Sequence, residues 1–288
     1  MSYPVHRERE HLDRSEWSLV FEDDFGSGAL DRDKWVAHYL PQWTTPDRSA
    51  SHYHFDEGSL RLRIDADQPA WREEDGELRV SNIQTGTFSG PLGSDRGASR
   101  HRPDLRVRTP VPTRRLYTPS SGLVEARLRA ARDPSCMLAL WLVGLEETSQ
   151  DQAGEICIAE LYGDALGPSR ATVKMGIKAH HDPHLTDDMK DVELDIDATD
   201  WHTYAAAWTP QGTSFYVDDE LVRLVPQGLA YPVQIMVSLF EFPGSRRRPT
   251  DYPKTGDVAA VRGYEPVEGR VVEPQASTNT VREGMAPR

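Results

Sequence analysis

Cysteine is scarce: Cys136 and Cys157 are the only two in 288 residues. Two thiols make no disulfide framework, so a disulfide-stapled secreted scaffold is excluded and a reducing compartment is slightly favoured. Long apolar runs are missing too, and nothing approaches a membrane span. The N-terminus, MSYPVHREREHLDRSEW, lacks the apolar centre of a secretory leader. As written, the chain reads as soluble and cytoplasmic, and as secreted only if a leader has been removed. Lys/Arg-rich blocks are absent and the formal net charge is −13, which argues against nucleic acid and anionic membranes as partners. A neutral or weakly charged substrate fits better, with cationic ones still open. There is no G-x-S-x-G elbow for a serine nucleophile, and GDALG (163–167) is a turn without a phosphate-loop context. Neither an internal repeat nor a sustained helical period is found.

What the chain does have is strands. SLRLRI (59–64) and GLVEARLRA (122–130) alternate apolar and charged residues with period two, the pattern of half-buried strands. CMLALWLVG (136–144) is continuously apolar, so both of its faces should be covered, and QIMVSLFEF (234–242) reads as one more buried strand. ATVKMGIKAH (171–180) is a further strand, and WHTYAAAWTPQGTSFYVDDELVRLV (201–225) reads as a hairpin followed by a tight Asp218-Asp219 turn. Many short strands with turn punctuation predict an all-β antiparallel sandwich. The polar ends give an N-terminal arm over 1–16, one domain over 17–265 and a tail over 266–288. The Arg-, Pro- and Gly-rich segment 90–120 should be a long loop, and long loops in compact domains are often functional.

The informative stretch is GEICIAELYG (154–163), which places Glu155 and Glu160 inside an apolar strand with Cys157 between them. Side chains alternate faces along a strand, so Glu155 and Cys157 share a face while Glu160 falls on the other. One β-bulge between them adds a residue and brings Glu160 round to join them. The expected carboxyl separation is then near the ~5–5.5 Å of retaining glycosidases, in which one carboxylate attacks the sugar and the other handles the proton. Two glutamates on a strand are more often solvated; the apolar surroundings argue for use, because a buried carboxylate is costly unless used or paired.

GEICIAE resembles the glycoside hydrolase family 16 motif Glu-x-Asp-x-x-Glu in its laminarinase-like form. LVFEDDFGSGALDRDKW (19–35), YTPSSGLVEARLRA (117–130), LALWLVG (138–144) and WHTYAAAWTPQGTSFYVDDELVR (201–223) resemble further ordered segments of that family, so residues 17 to 265 are covered. The resemblance implies a jelly roll of two curved sheets with a polysaccharide cleft on the concave face, and a poly- or oligosaccharide as partner to a monomer. By the same carry-over Glu155 is the nucleophile and Glu160 the acid/base. Glucanases, agarases, carrageenases and transglycosylases all belong to the family, so the glycan stays open, and a carbohydrate-binding protein on the same scaffold is the alternative.

Departures from the family pattern locate the questions. Its central aspartate is Cys157 here, and Lys178 stands near the point where many relatives place a histidine after a glycine. DVAAVRGYE (257–265) replaces a segment that carries a structural-calcium side chain in some relatives, and no other cofactor is implied. Trp141 is expected as a sugar-stacking platform and Trp43, in LPQWTTPD, as a cap on the cleft. His180 or His181 is expected to touch sugar near the acid/base. HHDPH (180–184) as a metal site is disfavoured, since adjacent histidines point apart and no cysteine pair accompanies them, so no metal ligand is assigned.

Overall fold

The computed structural model describes residues 11–244 and 248–267. Within them the period-two segments are strands, assembled into two large antiparallel sheets. One sheet has six strands in the order Asp188–Leu194, Ala171–Lys178, Glu155–Tyr162, Cys136–Gly144, Val233–Glu241 and Arg79–Gln84. The other has eight and is built around Gly122–Arg129 and Lys254–Pro266, with the hairpin strands His202–Thr209, Gly212–Val217 and Glu220–Val225 on one side. This is the sandwich expected from the pattern.

Between the sheets lies the main core. Leu60, Leu62 and Ile64 meet Val124, Ala126 and Leu128 on one side, and Leu138, Leu140, Ile156, Leu161 and Val173 on the other. Each such aliphatic side chain contributes ~1.5–3 kcal/mol by leaving water. The continuously apolar strand Cys136–Gly144 is buried along its whole length because its second face is covered as well. Tyr39, Leu40, Trp43, Trp71, Leu105 and Val107, from three connecting segments, pack with Met137, Trp141, Met236 and Phe240 as a second apolar cluster. The 90–120 segment is thus a long connection with its own buried anchors, Leu105 and Val107 among them.

Asp218 and Asp219 turn the second hairpin with φ of +49° and +69°. Asp218 offsets the cost of that left-handed backbone by accepting from the Thr203 N–H at 2.9 Å and meeting His202 Nδ1 at 2.6 Å. At the N-terminus the structure differs from the polar arm expected over 1–16. Leu12 is buried in a small cluster with Trp17 and Tyr216, and Arg14 pairs with Glu125 and Asp219. With the Leu12 N–H donating to the Asp219 carbonyl at 2.8 Å, Leu12 and Arg14 help seat His11–Glu16, which a composition argument overlooks. The remainder of that arm, and the tail beyond Val267, lie outside the described residues. No helix among the described residues is long and apolar enough to cross a membrane.

Candidate active site

Glu155–Tyr162 sits inside the six-stranded sheet, and its register slips once. Leu140 pairs with Ala159 but Trp141 with Cys157, so Ile158 has no partner on that side. On the other side Lys174 pairs with Glu160 and Gly176 with Cys157, so Met175 faces two residues. The extra residue turns Ile156, Ile158, Ala159 and Leu161 into the core and brings Glu155, Cys157 and Glu160 together on the opposite face. One carboxylate oxygen of each glutamate and the Cys157 sulfur lie within 4.8 Å of one another. All three are buried: Glu155 is 7% exposed, Cys157 0% and Glu160 2%.

Gly176 is required beside this bulge. Its φ of +143° is unfavourable for an L side chain, and a Cβ there would lie 2.0 Å from the Asp188 carbonyl oxygen.

Comparisons with known proteins bear on the family and the fold. Residues 113–251, which include the bulged strand, match the model of glycosyl hydrolases family 16. Over 94% of its length the chain is similar, at 25% identity and TM-score 0.74, to a GlcNAcα1-4Gal-releasing endo-β-galactosidase from Clostridium perfringens. It spans 66% of that protein's chain. A laminarinase from Rhodothermus marinus shares the fold at 20% identity and TM-score 0.61, over 88% of this chain and 98% of the other. So does a laminarinase from Flavobacterium sp. UMI-01, at 18% identity and TM-score 0.59, over 86% and 100%. No curated protein sequence matches.

Lys178 joins the two glutamates. Being paired with Glu155 across the sheet, it projects from the same face. Its Nζ donates to Glu160 Oε1 at 2.6 Å and to Glu155 Oε1 at 3.4 Å, so one ammonium bridges both carboxylates. Around that bridge, Cys157 Sγ donates to Glu155 Oε1 at 2.9 Å, and His180 Nε2 meets Glu155 Oε2 at 3.0 Å. Trp141 Nε1 donates to Glu160 Oε1 at 3.2 Å, and the Tyr162 hydroxyl to Glu160 Oε2 at 3.4 Å.

The electrostatics follow from these contacts. Burial would raise the Glu155 pKa, but the Lys178 charge, the His180 contact and the Cys157 hydrogen bond outweigh it and hold it at about 2. Burial opposes the Lys178 ammonium as well, yet Glu155, Cys157 and Glu160 together raise its pKa far above the ordinary range. For Cys157, burial and then the Glu155 charge push the thiol pKa well up, so it remains a neutral S–H donor. Tyr39, across from the pair, is pushed up by burial and then by Glu155.

The residues singled out from sequence fare unequally. Glu155, Cys157, Glu160, Trp141 and His180 converge in one network. Trp141 is only 8% exposed, lies edge-to-face with Phe240 at 5.4 Å and carries Lys178 over its ring at 5.7 Å, so here it serves as an N–H donor to Glu160. His180 joins the network through Glu155. His181 turns away to Glu146 at 3.6 Å. Trp43 is a correction: it is fully buried with its N–H on the Ala98 carbonyl at 3.0 Å, and cannot cap a cleft. An apolar loop with its own core mimics an exposed platform in sequence. Asp182 of HHDPH is spent on the Tyr231 hydroxyl at 2.6 Å and the His184 N–H at 2.8 Å, so that run does not converge.

Among the described residues, Glu155, Cys157 and Glu160 form the one group of three with metal-ligand spacing. The Lys178 ammonium already bridges the two carboxylates and offsets part of their charge, so a cation would have to displace it. Sequence reasoning noted Lys178 only as a departure. Its place on the motif face follows from the pairing of Gly176 with Cys157 and of Lys178 with Glu155, which neither strand's own pattern contains. Tyr162, two residues on from Glu160, lies on the same face and was readable by counting along its own strand.

Proposed function

We propose that this chain is a retaining β-glycosidase acting on a β-linked glycan through Glu155 and Glu160. The observation that carries the reading is the bulge, which turns two buried carboxylates onto one face with oxygens within 4.8 Å. In the first half-reaction a Glu155 oxygen attacks the anomeric carbon. A bond from that carbon to Glu155 forms as the bond to the leaving oxygen breaks, and Glu160 delivers a proton to that oxygen. In the second, Glu160 takes a proton from water, and the water oxygen displaces Glu155 to regenerate the carboxylate. Glu155 is suited to the first role because Lys178, His180 and Cys157 stabilise its anion.

A β-galactan is favoured over a β-glucan as backbone, because the endo-β-galactosidase shares a higher identity and TM-score with this chain than the laminarinases do. A carbohydrate-binding protein on the same scaffold is the second reading. Cys157 in place of the family's acid, and the Lys178 pair on Glu160, favour it.

Incubation with a panel of β-linked galacto- and gluco-oligosaccharides, followed by NMR of the anomeric signals in the first minutes, tests the reading. The β anomer should appear first, as double displacement requires. Initial α product would rule out the mechanism, and binding without cleavage across the panel would favour the second reading.

A further inference from the structure

A left-handed residue stands in the turn that follows the strand Ala171–Lys178. The Asp182 N–H donates to the Ala179 carbonyl at 2.9 Å and closes a four-residue turn, whose second position is His180 with φ of +50°. Glycine, asparagine or aspartate ordinarily fills such a position. Any other residue persists in that region only where its surroundings hold it.

What holds it lies on both sides. Ahead of the turn, the Ala179 N–H donates to Asp187 Oδ1 at 2.7 Å. Behind it, buried Asp182 accepts from the His184 N–H at 2.8 Å and from the Tyr231 hydroxyl at 2.6 Å. The two histidines between them part: His181 leans onto buried Glu146 at 3.6 Å, while His180 Nε2 lies 3.0 Å from Glu155 Oε2.

Tyr231 carries the contacts back to the motif strand. Its oxygen accepts from the Gly154 N–H at 2.8 Å, and Gly154 directly precedes Glu155. Glycine permits this approach, since a Cβ there would lie 2.4 Å from the Tyr231 oxygen. Burial and then the Asp182 hydrogen bond push the Tyr231 pKa far up, so the phenol keeps the proton it donates. The contacts close a ring, from Glu155 through Gly154, Tyr231 and Asp182 to the turn, and through His180 to Glu155 again. Lys178 and Cys157 both donate to Glu155 Oε1, so among these partners His180 alone defines where Oε2 lies.

We propose that Tyr231 and Asp182 are positioning residues, which fix the turn so that His180 meets Glu155 Oε2 and sets the rotation of that carboxylate. A carboxylate left free to rotate is aligned with the anomeric carbon for less of the time. The role of Glu155 as nucleophile rests on the glycosidase reading; the placement of His180 does not.

NMR of the imidazole nitrogens tests the placement without any substrate. The His180 signals are those missing from His180→Ala. At fixed pH, Glu155→Gln should shift the His180 Nε2 signal, and that response should be lost in Tyr231→Phe and in Asp182→Asn, which break the ring at different points. Circular dichroism verifies each fold. Kinetics on the dinitrophenyl β-glycosides of galactobiose and laminaribiose, whose leaving group needs no proton, then isolates the attack by Glu155. Tyr231→Phe should lower kcat about tenfold with KM nearly unchanged, and in a His180→Ala background it should cost nothing further. A merely structural tyrosine would leave the NMR response intact, and its kcat loss would multiply with that of His180→Ala; either result overturns the proposal. A lost response in a protein that turns over neither glycoside would leave the positioning ring standing while the glycosidase reading falls. Turnover with the response intact in both Tyr231→Phe and Asp182→Asn does the reverse.

Discussion

The two faces of the strand Glu155–Tyr162 are equally buried and chemically opposite. Ile156, Ile158, Ala159 and Leu161 point into the core between the sheets, each at 1% exposure or less. Glu155, Cys157 and Glu160 point the other way and are nearly as inaccessible, but they are held by donors from Lys178, His180, Trp141 and Tyr162. On the inner face stability comes from shape and area. On the outer face burial is costly for the anions and is offset by specific partners. The inner face should therefore tolerate changes that conserve volume and the outer face only changes that conserve charge pattern.

The largest effect should come from the outer face at Glu155, the proposed nucleophile. Glu155→Gln keeps the shape and can still accept from Cys157, but it gives up the charge that Lys178 and His180 meet, so the fold should be retained with a lowered melting temperature. Turnover should drop on the order of 10⁴-fold, as expected when a covalent nucleophile is removed. Activity within tenfold of wild type would erase the distinction between the faces. Glu160→Ala comes next: glycans with poor leaving groups should lose ~10²–10⁴-fold, whereas aryl glycosides with acidic phenols, which need no proton, should lose far less. Equal losses on both classes would remove Glu160 from the acid role.

Inner-face truncation gives the converse result. Leu161→Ala lies one residue from Glu160 yet faces the core, and should lower unfolding free energy by ~2–5 kcal/mol in urea titrations while leaving kcat of the folded fraction unchanged. A large loss of kcat with unchanged stability would mean that the faces are not separable.

This division was visible in sequence only in part. Alternation in SLRLRI and GLVEARLRA, and the unbroken apolar runs, were enough for a sandwich, because a period of two has few other readings. The bulge could be inferred from the spacing of Glu155 and Glu160, since only an inserted residue puts both on one face. Trp43 was misplaced because composition cannot tell a loop with a buried anchor from an exposed platform. Lys178 was underweighted for a different reason: its importance lies in the register between two strands, which a single strand's pattern does not contain. Which aromatic residues stack on which is also a cross-strand property, and Trp141 became a hydrogen-bond donor for the same reason.

A smaller effect sharpens the electrostatic side of the comparison. The Glu155 carboxyl is held at about 2 instead of its ordinary 4.5. Its folded-state pKa is depressed, so its contribution to stability is fully present above pH 4.5 and is lost as pH falls toward 2. Unfolding free energy measured across that window should decline in wild type with a component missing from Glu155→Gln. Parallel curves for the two proteins would show that the contacts of Lys178 and His180 with Glu155 do not hold in solution.

The smallest expected effect is at Cys157, where the two faces are hardest to tell apart, because the residue is fully buried and uncharged like its inner-face neighbours. Its sulfur nevertheless donates to Glu155 at 2.9 Å and sits opposite Gly176 and Trp141 in the sheet. Cys157→Asp adds a negative charge to the strip. That charge makes proton uptake by the carboxylate cluster easier, so the acid-dependent limb of the pH–rate profile should move upward. Lys178 lies close enough to compensate much of the added charge, which limits the move to about one pH unit, equivalent to ~1.4 kcal/mol. The same ammonium supplies the partner that a buried carboxylate needs, so melting temperature should fall only slightly. Combining Cys157→Asp with Lys178→Met removes that partner and should lower the melting temperature much further than either change alone. An unchanged pH profile together with additive stability losses would return Cys157 to the apolar packing and leave Lys178 as a partner of the two glutamates only.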